Sequence, residues 1–190
     1  DIAEVEKLIG EQYKGKEKLL EPNVKALHLG RDYALANLPC PLGITVREVL
    51  DDSGARDAIA VQAGGPSGVC LGQDEFERRI AFEDIETGGA FIVFDGSRDM
   101  FEVARHFAHF FAHESCGFCT PCRVGTTLLC NVMDKLAEQK GSLHDLARIE
   151  RLARLLQASS HCGLGHTACN PLVDTLKRFR PAYERRLQST

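Results

Sequence analysis

No stretch of this 190-residue chain is long and apolar enough to cross a membrane; its apolar runs are short and broken by charge. Nor is there an excess of positive charge. Lys and Arg total 23 against 27 Asp and Glu, a formal net charge of -4, which removes any general case for nucleic-acid binding. The opening residues, Asp1-Ile-Ala-Glu-Val-Glu-Lys7, are acidic and mixed, with no signal- or transit-peptide pattern. The loop Gly64-Gly-Pro-Ser-Gly68 lacks the lysine of a nucleotide-triphosphate loop and the G-x-G-x-x-G order of a dinucleotide fold, so it reads as a tight turn. His106, His109 and His113 share a helical face, but no carboxylate joins them in an H-E-x-x-H pattern, and they read as a partly polar face. No serine–histidine–aspartate grouping sits in a strand-turn-helix context, which leaves hydrolysis without an anchor. Internal repeats and low-complexity tracts are absent as well.

What remains is an ordinary globular composition, 44% hydrophobic and 26% charged, long enough for one good core or two small domains. Residues 1–38 are polar and mixed. Asp1–Gln12 suits a short helix, Lys14–Pro22 reads as a loop around a helical turn, and the whole segment is expected to lean on chain outside this sequence. Residues 39–98 read as a compact α/β-type unit. Pro39-Cys-Pro-Leu-Gly43 is a turn signal, and Ile44–Leu50 a helix capped by Thr45 with Glu48 as reciprocal partner. Ala58–Gln62 and Ala90–Phe94 are expected strands, and Phe76–Ile80 a helical turn. From Met100 onward the chain reads as a small helical bundle. Its helices are Phe101–His113, with Phe101, Ala104, Phe107 and Phe111 on one stripe; Arg123–Lys140, with Val124, Leu128, Val132 and Leu136 on a face; Leu143–Gln157; and Pro171–Phe179, capped by Asn170. The fold class expected is α+β. The basic runs Lys177-Arg-Phe-Arg180 and Arg185-Arg186 suit a helix end and are too short for a nucleic-acid site.

Eight cysteines carry the chemistry: Cys40, Cys70, Cys116, Cys119, Cys122, Cys130, Cys162 and Cys169. Their clustering without a secretory signal points to a reducing, cytoplasmic compartment and a metal site, not a disulfide scaffold. Cys116, Cys119 and Cys122 stand at C-x2-C-x2-C spacing, and Cys162 follows after 39 intervening residues. Three thiolates in one tight loop can wrap three corners of a four-iron cubane, with the fourth supplied from elsewhere. Cys162 is the best candidate, in the glycine-flanked loop Ser160-His-Cys-Gly-Leu-Gly165. Cys169 is its rival, and His161 and His166, which flank Cys162, are alternative donors in place of a thiolate. A four-cysteine zinc site would normally use two C-x2-4-C pairs, and Cys162 and Cys169 are seven apart; a two-iron cluster and redox-idle cysteines are further alternatives. Cys130 is expected inside the bundle, and Cys40 and Cys70 behave as small apolar residues. Arg123 either supports an anionic cluster or starts a helix facing solvent. Glu114 either caps backbone groups or faces a partner. No acid, base or nucleophile is required, so no catalytic side chain is expected.

The motif Glu114-Ser-Cys-Gly-Phe-Cys-Thr-Pro-Cys-Arg-Val-Gly125 resembles the cluster-binding motif of the NADH-binding flavoprotein subunit of respiratory NADH dehydrogenase. It is also similar to the diaphorase large subunit of NAD-reducing hydrogenases and to NAD-dependent formate dehydrogenases. Phe118 and Val124, where many respiratory members carry lysine and glutamate, tilt the resemblance toward the hydrogenase diaphorase. A second stretch, Cys162-Gly-Leu-Gly-His-Thr-Ala-Cys-Asn-Pro171, resembles the family's fourth-ligand region. The resemblance spans about residues 39–180 and implies Cys116, Cys119, Cys122 and Cys162 as ligands of one [4Fe-4S] cluster. It implies a β-grasp (ubiquitin-like) domain over 39–98, carried by Pro41–Leu50, Gly64–Gly68 and Gly88–Phe94, and a helical cluster domain over 99–190. Residues 1–38 would then be the tail of a flavin- and NADH-binding domain whose glycine-rich motifs are not in this sequence. The opening strands of a β-grasp domain have no counterpart in residues 20–40. For the intact subunit the resemblance implies FMN, NAD(H), and electron exchange with iron–sulfur clusters of partner subunits in a hetero-oligomeric complex.

Overall fold

The computed structural model describes residues 2–37 and 43–188, which fall into two compact units, one drawn from 1–42 and the other from 43–190. The expected turn at Pro39–Leu42, and Cys40 within it, lie outside the described residues.

The first unit is a helical pair, α1 (Ile2–Gln12) and α2 (Glu17–Asn37), joined by a turn in which Gly15 has positive φ and linked by an ion pair between His28 and Glu6. The short helix expected at the start is present. The loop expected over Lys14–Pro22 is confined to the residues before Glu17, because α2 runs straight through Pro22. A proline there deprives one carbonyl of its partner. The neighbouring Asn23 Nδ2 donates to Leu19 O at 2.7 Å, and the lysines, leucines and alanines around it favour helix.

The second unit opens with α3 (Val46–Asp52), started by a reciprocal cap: Thr45 N–H donates to Glu48 Oε2 at 2.6 Å and Glu48 N–H to Thr45 Oγ1 at 3.1 Å. Three antiparallel strands follow, β1 (Ala58–Ala63), β2 (Val69–Gly72) and β3 (Phe91–Asp95), in the order β2-β1-β3. Val61 lies opposite Leu71 and Val93. β1 is central and covered on both faces. Val61 and Ala63 join Val46, Leu50, Leu71, Phe76 and Ile85 in one core, while Ala60 and Cys70 meet Met100 on the other side. The helical turn expected at Phe76–Ile80 is instead a 3-10 turn at Gln73–Glu75, closed by Gly72 N–H to Glu75, with Phe76 buried beyond it.

The rest is helical: α4 (Met100–Glu114), α5 (Thr120–Ala137), α6 (Leu143–Ser159), α7 (Gly163–Thr167), α8 (Asn170–Arg178) and α9 (Arg180–Glu184). Asp99 caps α4 through Phe101 N–H. α5 starts three residues earlier than expected, since Pro121 is tolerated in a first turn. Of the expected face, Val132 and Leu136 are buried, Leu128 lies at the margin and Val124 is exposed; the helix also buries Cys122, Gly125, Leu129 and Met133. On α4, Ala108 takes the buried position expected of Phe107. These side chains pack with Phe101, Ile149, Leu156, Leu172 and Tyr183 into one core. Cys130 is inside it, as its place in the helix implied.

Sheet and helices are tied by charge. Arg178 on α8 donates to Glu75 from Nε and, at 2.8 Å, from Nη2, and to Asp174 Oδ1 at 2.9 Å; Asp174 Oδ2 accepts Cys70 N–H at 2.9 Å. This seats β2 against α8 and so fixes where the preceding segment, with Cys162 and α7, meets α5.

Candidate metal centre

The three clustered cysteines sit where α4 hands over to α5. α4 ends at Glu114, and the chain turns through Cys116–Phe118 before Cys119 takes the position preceding α5. Cys122 lies in the first turn of α5 and is 5% exposed. The turn depends on Gly117, whose φ of +75° belongs to the left-handed region. Arg123 Nη1 donates to Gly117 O at 2.6 Å and holds the loop back against its own helix. Ser115 Oγ lies 3.4 Å from Cys122 Sγ and accepts Gly117 N–H at 3.3 Å. Of the two readings for Arg123, neither is quite what is found: it is exposed, yet it fastens the cysteine loop.

The fourth thiol arrives from the far end of the chain. α6 ends at Ser159, and Cys162 precedes the five-residue α7. Gly165 in α7 makes this approach possible, because a Cβ there would lie 2.4 Å from Ser160 Oγ and 3.2 Å from Cys122 Cβ. Cys116, Cys119, Cys122 and Cys162 consequently line a single cavity of about 240 Å³, together with Glu114, Ser115, Phe118, His161 and Leu164. Phe118 packs edge-on to His161, ring centroids 5.4 Å apart, across its rim.

The rivals are placed elsewhere. Cys169 is fully buried among core residues, outside the cavity lining, and burial pushes its thiol up to about 12. His166 is exposed and does not line the cavity; His161 does. Cys70 is buried on the sheet with its thiol pushed up to about 12, and Cys130 in the helical core with its thiol pushed up to about 11, both chiefly by burial. Cys119 moves the other way: backbone N–H groups, that of His161 first and that of Cys122 next, hold its thiol below the ordinary value. The three α4 histidines bind nothing in common; His109 pairs with Asp134 at 2.9 Å.

The donor set fits an iron–sulfur group. Four soft thiols converge on one largely apolar cavity, and amide N–H groups already point at one sulfur. Among the described residues no three His, Cys, Asp or Glu side chains are close enough to hold one metal ion. A cluster does not need such a point, because each thiolate binds a different iron. Ser115 and Ser160 stand in the quoted motifs but were given no role by the sequence; the packing of the two loops brings both near Cys122. Among the described residues no helix is long and apolar enough to cross a membrane.

Residues 102–186 match the family model for the NADH-ubiquinone oxidoreductase-F iron–sulfur binding region. The chain is 40% identical over 146 residues to the NAD-reducing hydrogenase HoxS subunit alpha of Cupriavidus necator, covering 76% of this chain and 24% of that one. It is 36% identical over 155 residues to the NADP-reducing hydrogenase subunit HndC of Solidesulfovibrio fructosivorans, covering 76% of this chain and 32% of that one. Among solved structures, an NAD+-reducing [NiFe]-hydrogenase in the H2-reduced state matches with a TM-score of 0.73 and 40% identity, over 78% of this chain and 27% of that chain. The sequence thus spans about a quarter to a third of the length of the curated relatives named here.

Proposed function

We propose that this chain is the electron-relay part of an NAD(H)-dependent FMN and iron–sulfur oxidoreductase, with Cys116, Cys119, Cys122 and Cys162 as the ligands of one [4Fe-4S] cluster. The observation that carries the reading is the meeting of all four thiols on one cavity from segments some forty residues apart. When bound, the cluster supplies one-electron transfer. The chain's own contribution is to fix the four sulfurs, exclude water with Phe118 and Leu164, and aim N–H and O–H groups at sulfur, the features that set a cluster's potential.

The functional division follows the same reading: residues 1–38 as the end of a flavin- and NADH-binding domain, 39–98 as a β-grasp-like unit, and 99–190 as the helical bundle that holds the cluster. FMN and NAD(H) would belong to the intact protein. Its partners would be iron–sulfur subunits of a hetero-oligomeric complex, in the cytoplasm, with no nucleic acid involved. The two hydrogenase subunits named above favour the diaphorase module of an NAD-reducing hydrogenase. The family description favours a second reading, the corresponding subunit of a respiratory NADH dehydrogenase, and NAD-dependent formate dehydrogenase is the third relative of this kind.

The test is anaerobic reconstitution of the chain with ferrous iron and sulfide, followed by iron and acid-labile sulfide counts and electron paramagnetic resonance of the reduced protein. About four irons and four sulfides per chain are expected for a cubane. Cys162→Ser should lose or alter the signal, while Cys169→Ser leaves it unchanged. Two irons per chain, or an unaltered cluster in Cys162→Ser, would sink the ligand assignment. Firm retention of FMN by these residues alone would move the flavin site into them.

A further inference from the structure

Among the described residues, two buried side-chain polar atoms have no hydrogen-bond partner, Gln62 Oε1 and Ser160 Oγ. The first belongs to an amide whose nitrogen is already bonded, Gln62 Nε2 donating to Gly65 O at 2.9 Å. Ser160 is different, because its whole hydroxyl is orphaned. The residue is 8% exposed, its backbone N–H donates to Leu156 O, and no protein acceptor meets its Oγ. Other buried hydroxyls nearby are satisfied: Thr126 Oγ1 donates to Cys122 O at 2.8 Å and Thr175 Oγ1 to Pro171 O at 2.6 Å. A hydroxyl sealed from water is retained at a cost unless something accepts from it.

Its position says what would accept. Ser160 immediately precedes the cavity residues His161 and Cys162. Its Oγ and the Cβ of Cys122 close on Gly165 from two sides, so tightly that the glycine has no room for a methyl group. Cys122 already has one hydroxyl beside its sulfur, that of Ser115 at 3.4 Å. We infer that Ser160 is a positioning residue for the cluster, its hydroxyl donating to sulfur at the Cys122 corner, so that it and Ser115, from different loops, both tune the cluster's potential. The inference rests on the cluster reading above.

The sign follows from charge. One-electron reduction makes the sulfurs of a four-thiolate cluster more negative, so an O–H donor stabilises the reduced state more than the oxidised one and raises the midpoint potential. Ser160→Ala should therefore keep the full iron and sulfide count and titrate at a more negative potential. It should also lose one strongly coupled exchangeable deuteron from the pulsed resonance spectrum taken after exchange into deuterium oxide. Ser160→Thr, which keeps the hydroxyl, should restore both. The measurements use the reconstituted full chain. Should the alanine variant fail to assemble a cluster, the isosteric pair Ser160→Thr and Ser160→Val isolates the hydroxyl in the same way. An intact cluster with unchanged potential and deuteron coupling in Ser160→Ala, or equal potentials in the Thr and Val variants, overturns the inference and leaves the ligand set standing. A wild-type chain that takes up no four-iron cluster overturns both, and the iron count separates the two outcomes.

Discussion

The described cysteines of this chain divide into two environments. Cys116, Cys119, Cys122 and Cys162 rim a cavity, three of them at least partly exposed, on loops bent by Gly117 and admitted by Gly165. Cys70, Cys130 and Cys169 are closed inside sheet or helix packing, and burial pushes each thiol up to about 11 or 12. The same side chain is thus a metal-ready donor in one region and a small apolar filler in the other. What separates them is which space each side chain faces, cavity or core. Cys119, Cys122 and Cys162 precede or open helices, where N–H groups lack partners and can turn toward sulfur, as those of His161 and Cys122 turn toward Cys119. Cys70 sits within a strand and Cys130 within a helix, while Cys169, although it precedes α8, is directed into the core.

The largest test of this division is chemical. In the metal-free chain at pH 8, an ordinary free thiol is roughly a quarter ionised, whereas one near 12 is about one part in ten thousand ionised. Alkylation followed by mass spectrometry should label Cys119, whose thiol is held below the ordinary value, at least about a thousandfold faster than Cys70 and Cys169, and the exposed Cys116 and Cys162 faster than either buried thiol. Equal labelling rates at Cys162 and Cys169 would erase the distinction on which the choice of fourth thiol rests.

That choice shows how far the sequence carries. The C-x2-C-x2-C loop is legible because ligand spacing is a local property, and the glycine-flanked loop around Cys162 already favours it over Cys169; the structure adds their difference in burial. The Thr45–Glu48 cap was readable because its partners are three residues apart. Strand β2 was missed because Val69-Cys-Leu-Gly72 is four residues long with a single β-branched side chain; pairing to β1 makes it a strand. Helix α7 escaped because Gly163-Leu-Gly-His-Thr167 has little helix propensity of its own. The expected face of α5 holds at Val132 and Leu136 and fails at Val124, because the first turns bury Cys122, Gly125 and Thr126 instead, in helix that starts before Arg123. Ser115 and Ser160 carry no signal in sequence at all, since what marks them is a distance and an empty hydrogen bond.

The next effect concerns what keeps the core cysteines closed. Cys70 N–H is held by Asp174, and Asp174 by Arg178, whose side chain is 11% exposed. Arg178→Ala leaves Asp174 without its cation and Glu75 with Arg78 alone, and should cost about 3 kcal/mol. Because a buried thiol is labelled through opening, that predicts about a hundredfold faster labelling of Cys70, with Cys116 unchanged. Unfolding in urea gives the stability change independently. Acid probes the same network. The paired Arg178 guanidinium holds Glu75 at about 2, well below the usual carboxylate value. Its contribution is therefore present above the ordinary carboxylate pKa and lost as pH falls from about 4.5 toward 2. Asp174 is shifted upward by burial and works in the opposite sense, its buried charge being relieved by protonation. Glu75→Gln should flatten the loss of stability across that window, and an unchanged acid limb would show that the pair does not support the fold.

The smallest effect is also the most selective. Thr45 starts α3, whose Val46 and Leu50 cover the face of the sheet opposite Cys70. Thr45→Ala removes the side-chain acceptor for Glu48 N–H and should cost about 1 kcal/mol. Opening of the sheet would then raise Cys70 labelling by about fivefold. Cys119 and Cys162, set by the α5 and α7 starts and not by α3, should keep their rates. If their labelling rose in step with that of Cys70, the cavity would share one opening transition with the sheet, and the cysteine loops would owe their geometry to the whole unit instead of to the local turns at Gly117 and Gly165.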